Sequence, residues 1–297
     1  MDNQSAATEP SRKPSVQIWP WVVVLLVLLF IGFIRFRLLD TPLERDEGEY
    51  AYAGQLILQG IPPYELAYNM KLPGTYFAYA AGMAVFGQAI QGIHLTLIVV
   101  NSLTIIFVFL LGRKLCGTVA GLAACASYGL MSVSPQVLGM AAHANHFVVL
   151  FAVPATLLLL AAVENKSNRL LAISGLLYGL AFLMKQQGIF FILFGGVFLL
   201  WQAAKDKSVF TKDFLKRGLF FAGGNVSSVC HVLLRLLCGG RFPAVLVLDI
   251  FVCQMVCHLA DFGRGYAFIG AAFAPGVLCL VRVLGAGGRW IAPGVLQ

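Results

Sequence analysis

Residues 18–49 read I-W-P-W-V-V-V-L-L-V-L-L-F-I-G-F-I-R-F-R-L-L-D-T-P-L-E-R-D-E-G-E, and the two halves of that stretch belong to different solvents. Ile18 to Ile34 carries no charge, and about 20 apolar residues are what a helix needs to cross a bilayer. The run continues into Arg35 and Arg37, whose apolar stems are expected to snorkel toward the interface. No A-x-A cleavage pattern follows, so the segment reads as a signal anchor and not as a removable leader. Then Glu44, Asp46, Glu47 and Glu49, four of the thirteen acidic residues, fall within six positions. Ionisable groups held at a membrane boundary are costly, and their default reading is a functional site. The plain alternative is a hydrated loop that caps a helix.

Composition extends this reading to the whole chain. Hydrophobic residues make up 59% of the 297 and charged residues 11%, about half the usual charged share of near 25%. A soluble core has no use for so much apolar surface, so the expected fold is an all-α polytopic membrane protein. The net charge of +8 does not indicate nucleic acid, because the cations form no basic face with interleaved aromatics. Seven cysteines show neither a C-x-x-C pair nor zinc spacing. Cys116 and Cys125 read as small residues in or beside an apolar segment.

Residues 1–17 read as a short disordered cytoplasmic tail. The transmembrane domain is placed at 18–222, with about six spans and outer loops at 39–75, 134–146 and 185–188. The first loop is large and expected to carry short interfacial helices. Thr75 to Phe86 is too short for a comfortable span and reads as re-entrant or interfacial. Apolar runs follow at 93–111, 119–133, 147–163, 170–184 and 189–201, and a basic loop at 205–217. Alternating the loops gives one side Arg12, Lys13, Arg113, Lys114, Lys166, Arg169, Lys205, Lys207, Lys212, Lys216 and Arg217, against Arg35, Arg37, Arg45, Lys71 and Lys185. Eleven cations against five predict a cytoplasmic N-terminus and gather the candidate chemical groups on the outer face. A bacterial inner (plasma) membrane is the expected location.

Those outer segments offer carboxylates (Asp46, Glu47, Glu49), cations or donors (Lys71, Lys185, Gln186, Gln187) and imidazoles (His143, His146). A carboxylate beside a cation-lined pocket can take a proton from an acceptor hydroxyl while the cations hold a phosphate leaving group. Lys71 can also be read as an interfacial snorkelling lysine. His143 and His146 could share a helical face and bind a divalent metal with Glu47 or Glu49. Without a clear third ligand they read more simply as polar loop residues or substrate contacts, so no cofactor is expected. Tyr50, Tyr52, Tyr64, Tyr68 and Tyr76 suit sugar stacking or an interfacial aromatic belt, and Pro62-Pro63 makes the loop turn. No Walker A loop, dinucleotide fingerprint or Ser-nucleophile elbow occurs.

At this point D-E-G-E-Y-A-Y-A-G at 46–54, the later Y-N-M-K-L-P-G, and the F-G and G-R-K-L-C-G punctuation carry a resemblance. Over about residues 18–220 the chain resembles the membrane-embedded glycosyltransferases of GT-C fold, nearest to family 39, the protein-mannosyltransferase-like and aminoarabinose-transferase-like group. That resemblance implies transfer of a sugar from a polyprenyl-phosphate donor to a lipid, glycan or protein acceptor on the outer face. It implies Asp46 as catalytic base, Glu47 as its support or the acceptor's, and Lys71 and Lys185 at the donor phosphate. Glu49, Tyr50, Tyr52, His143, Asn145, His146 and Gln186 are then expected substrate contacts. Relatives often carry a further acid in the second outer loop, where this chain has His143, Asn145 and His146. A lipid-linked-sugar transporter and a non-catalytic subunit are the competing readings, although no internal repeat of the transporter kind is evident.

Residues 223–297 change in texture. Five of the seven cysteines (Cys230, Cys238, Cys253, Cys257, Cys279) fall there, and Arg235, Arg241, Asp249, Asp261, Arg264, Arg282 and Arg289 break the apolar runs. A frameshifted or truncated tail, which makes the chain an incomplete and inactive form, is one reading. An ordinary divergent helix pair is the other.

Overall fold

The computed structural model describes residues 18–67, 71–207 and 211–237, with side chains through Val232 in the last segment. The expectations for residues 1–17, for Tyr68 and for 238–297, including the frameshift reading of the tail, lie outside the described residues. Among the described residues there are nine α-helices, two short 3-10 turns and no strand. The chain is an all-α polytopic membrane protein, consistent with a GT-C-like bundle.

α1 (Trp19–Arg37) has Pro20 in its first turn, where a missing N–H costs no hydrogen bond. Its 19 residues are about 28 Å long at 1.5 Å per residue, enough to cross the hydrocarbon. α4 (Ile90–Cys116), α6 (Ala144–Glu164) and the segment Gln186–Lys205 that contains α8 (Ile189–Lys205) are likewise long and apolar enough. Leu25, Leu29 and Phe33 on α1, and Phe190, Phe194 and Val197 on α8, are exposed apolar side chains suited to lipid.

Two of the six expected spans are shorter. α5 (Thr118–Met131) has 14 residues and α7 (Asn168–Met184) has 17. α5 turns directly back from α4 at Gly117, whose φ of 89° suits glycine, and Gly112 and Gly121 bring the two backbones together. α7 is enclosed by α6 and by α9 (Lys212–Leu237), and most of its side chains are buried. A helix covered by neighbours need not match the lipid thickness by itself.

α9 corrects the expected loop at 205–217, because the helix already begins at Lys212 and runs without a break past residue 223. Phe221, Gly224, Asn225, Ser228 and Val232 recur at helical spacing and are buried. Ser228 Oγ donates to Leu176 O at 2.9 Å. A Cβ added at Gly175 would meet the backbone of Phe221, and one at Gly224 the backbone of Ala172. Small residues thus let the two helices approach closely, as they do in membrane interfaces.

The antiparallel helices sort the loops into two ends. At one, Lys114 Nζ lies 2.5 Å from Glu164 Oε2 and Arg217 approaches Ala162 O at 3.5 Å. At the other lie α2 (Arg45–Leu58) and α3 (Gly74–Phe86). α3 starts on the end of α7, where Thr75 Oγ1 donates to Met184 O at 2.7 Å, and leads through Gly87 into α4. It packs against α2, α4 and α7, and most of its side chains are buried. Arg35 does not snorkel. It is buried, and its guanidinium donates to Ser132 O at 2.6 Å and Gly139 O at 2.9 Å. Those carbonyls lie in the turn-rich segment between α5 and α6, so Arg35 ties that segment to α1.

Candidate active site

The acidic stretch builds its own helix start. Glu44 is the N-cap of α2, and its carboxylate accepts from Asp46 N at 2.8 Å while Glu47 Oε2 accepts from Glu44 N at 2.9 Å. This reciprocal capping box satisfies two otherwise orphaned N–H groups, and negative charge is favoured at a helix N-terminus. The cap and the candidate site therefore share one short stretch, with Asp46 between the two capping glutamates. Asp46, Glu49, Tyr50 and Ala53 follow at i, i+3, i+4 and i+7, which puts them on one face.

Lys71 lies against that face from the far side of the Pro62-Pro63 turn. Its Nζ is 3.2 Å from Asp46 Oδ2, 3.6 Å from Glu49 Oε2, and 4.6 Å from the centre of the Tyr50 ring. Tyr64 and Tyr76 complete the wall. Tyr64 Oη donates to Lys71 O at 2.7 Å, and Tyr76 Oη to Glu49 Oε1 at 3.4 Å. Burial pushes the Tyr64 hydroxyl up to about 12, so it stays a donor. The rings of Tyr50, Tyr64, Tyr76 and Tyr79 pack on one another at centroid distances of 5.4–6.1 Å, forming one cluster beside the lysine.

The Asp46 side chain keeps 18% exposure. Burial works to raise its pKa, but the hydrogen bond and charge of Lys71, with smaller help from Arg45 and His143, hold it below the ordinary value. Lys71 is raised in turn, because Tyr50 and Asp46 outweigh its own partial burial.

The loop before α6 supplies the third side. His143, N-cap of α6, places Nε2 3.4 Å from Asp46 Oδ2. Burial and the nearby Lys185 lower its pKa against the pull of Asp46, which favours the neutral imidazole beside the carboxylate. Lys185, at the end of α7, donates to Asn145 Oδ1 at 2.9 Å. Its pKa is lowered by burial and by Lys71, and Asp46 opposes that shift. Asp46, Lys71, His143, Asn145 and Lys185, drawn from α2, the 61–73 turn, the start of α6 and the end of α7, thus share one electrostatic neighbourhood.

Other expected residues stand elsewhere. Glu47 is 1% exposed and faces inward: Oε1 accepts from Ala142 N at 2.5 Å and lies 3.6 Å from His94 Nε2. Burial works to raise its pKa, and His94 with the N–H groups of Ala142 and Glu44 brings it below the ordinary value. Its carboxylate is taken up by these inward contacts, while that of Asp46 stays partly exposed. Tyr52 is half exposed on the other side of α2. His146 is engaged by the backbone of Gly139, and among the described residues no group of three metal-ligating side chains occurs. Gln186 is exposed in the 3-10 turn after Lys185.

His94 and Arg35 were missed as parts of this end of the molecule. The signal for His94 was present, an ionisable residue at the head of a long apolar run. Its Nδ1 meets Leu39 O at 2.8 Å.

Comparison with curated proteins returned no match, and comparison with solved structures returned none. Residues 71–223, just over half of the 297, match the family described as dolichyl-phosphate-mannose-protein mannosyltransferase. The matched segment begins at Lys71 and takes in His143, Asn145 and Lys185, while Asp46 and Glu47 precede it and are joined to it by the contacts above. With its apolar helices and this match, the chain belongs to that family of membrane glycosyltransferases.

Proposed function

We propose that this chain transfers a sugar from a polyprenyl-phosphate donor to a hydroxyl of a lipid, glycan or protein acceptor, at the Asp46 end of the bundle and on the outer face of the plasma (bacterial inner) membrane. The observation that carries this reading is the partly exposed Asp46 carboxylate, set 3.2 Å from Lys71 Nζ and 3.4 Å from His143 Nε2. Asp46 takes the acceptor O–H proton. The acceptor oxygen attacks the anomeric carbon, the bond from that carbon to the phosphate oxygen breaks, and polyprenyl phosphate leaves with the electron pair. Lys71 and Lys185 neutralise the charge that collects on the leaving phosphate.

The free site holds Lys71 on Asp46 and Glu49. A donor phosphate competes for the same ammonium. As Lys71 turns toward the phosphate, Asp46 loses the contact that depresses its pKa and becomes a stronger base. The base is thus strengthened by the arrival of the donor. Asn145, exposed and held on Lys185, is the group best placed to meet the sugar, whereas the Tyr50 and Tyr76 rings are buried behind Lys71.

The outer-face assignment is supported by the eleven-to-five distribution of cations. The test is incubation of the purified full chain, in liposomes, with labelled polyprenyl-phosphate sugar. Release of free polyprenyl phosphate, dependent on Asp46, is expected; binding of the donor with no release sinks the enzymatic reading. Reporters fused after Glu49 or His146 should report the outer side, and those after Lys114 or Lys207 the cytoplasm. A cytoplasmic signal after Glu49 removes the outer-face assignment.

A further inference from the structure

We infer that His94 is a positioning residue, an imidazolium paired with Glu47 that fixes the start of α2 and thereby aims Asp46 at its substrate. The inference rests on Asp46 as the general base, but the protonation of His94 stands on its own geometry.

Both Glu47 oxygens accept backbone N–H groups, Oε1 from Ala142 and Oε2 from Glu44. Hydrogen bonds donated to both oxygens favour the ionised form of the carboxyl. It is buried, and a buried anion needs a partner. Lys71 is turned to Asp46 and Glu49, whereas His94 Nε2 is at ion-pair distance, 3.6 Å. The other ring nitrogen, Nδ1, faces Leu39 O at 2.8 Å. A carbonyl cannot donate, so Nδ1 must carry a proton. A neutral ring would then aim the Nε2 lone pair at a carboxylate inside the protein. A second proton turns that repulsion into an ion pair, and the ring becomes an imidazolium between two acceptors.

The surroundings are mixed. Arg35 of α1 is the opposing cation; Glu44 of α2, Tyr79 of α3 and His146 of α6 face the Glu47 side, and Asp40 stands beside α4 through Gln91. What makes the pair matter to the chemistry is where its contacts sit in the chain. Glu47 is the neighbour of Asp46, and Ala142 is the neighbour of His143. One buried pair therefore holds both backbones whose side chains meet 3.4 Å apart at the site. It also joins the end of α1, through Leu39, to α4.

Two measurements test this on the full chain. The first is polyprenyl-phosphate release across pH by wild type, His94→Gln and His94→Arg, with membrane yield as the check on insertion. His94→Gln should lower kcat about 10²-fold, the usual scale for misplacing a reacting group by about 1 Å, with donor KM within about twofold. His94→Arg, a permanent cation, should keep more of the rate and lack the alkaline fall in kcat that wild type shows as His94 deprotonates. A His94→Gln enzyme with the wild-type kcat and pH profile, or an arginine variant whose alkaline fall matches wild type, overturns the proposal. The second is the 15N spectrum of histidine-labelled protein in membranes. At pH 8 a doubly protonated imidazole should be present in wild type and lost in His94→Arg; its absence from wild type overturns the proposal. The spectrum decides the point even for a chain that transfers no sugar, a result that counts against the proposed function alone.

Discussion

At the site end, α2 is held to α4 and to the segment before α6 by an ionised carboxylate with N–H groups aimed at it. At the α7–α9 seam, Gly175, Gly179 and Gly224 let backbone lie on backbone, with Ser228 hydrogen-bonded to Leu176 O. Both places are buried, but they fail differently. A seam of small residues is spoiled by adding volume, and the loss is graded with size. A buried charged pair is spoiled by taking away one member, because the other is left without water and without a partner. The site end therefore concentrates its risk in a few groups and gains fixed directions for them. The seam spreads its contacts and fixes distance only.

The sharpest break of that comparison lies at Asp46, which the fold does not need. Asp46→Asn keeps the shape and removes the base, so transfer should fall by about 10²–10⁴ while membrane yield and thermal unfolding in detergent stay near wild type. A rate within a few-fold of wild type would dismiss Asp46 as the base. Glu47→Leu should do the reverse in kind, costing about 3–5 kcal/mol of stability by stranding His94, read as an earlier thermal transition. Its rate loss should follow from Asp46 losing its aim.

At the seam, Gly224→Leu should cost about 1–3 kcal/mol by overpacking against α7, and the surviving protein should keep the wild-type pH profile. A moved profile would mean that the two regions are coupled after all.

The smallest effect sharpens the electrostatics. Asp46 acts as the anion, so rate is present above its pKa and lost as pH falls through it. Lys71 keeps that pKa below the ordinary carboxylate value. In Lys71→Ala burial is opposed only by the smaller contributions of Arg45 and His143, and the acid limb of kcat should move to higher pH, alongside a raised donor KM. An acid limb that stays in place would show that Lys71 does not set the protonation of Asp46.

Much of this was readable beforehand, for specific reasons. Hydrophobic runs separated by charge marked α1, α4, α5, α6, α7 and α8, because lipid leaves a backbone few alternatives to a helix. Four acidic residues in a row of six marked α2, because charge at that boundary is expensive without a use. The start of α9 was read as loop: its charged first turns, Lys212, Asp213, Lys216 and Arg217, resemble one, and its buried face interrupts Phe221 and Val232 with glycine, asparagine and serine. Glu47 and Asp46 could not be told apart by position, although one faces inward and the other toward the site.

The sequence by itself determined the solvent of each segment, the number of apolar passes to within the short ones, and the identity of the ionisable groups available, since each follows from local composition. Tertiary structure decided which of those groups meet. Lys71 is 25 residues from Asp46, His143 is 97 and Lys185 is farther still, so their convergence depends on how α2 and α3 lie across the ends of α6 and α7. It also decided that His94 belongs to Glu47 and Arg35 to the carbonyls of Ser132 and Gly139. The energy of a buried polar group is set by its partner, and partners this far apart in sequence are assigned only by packing.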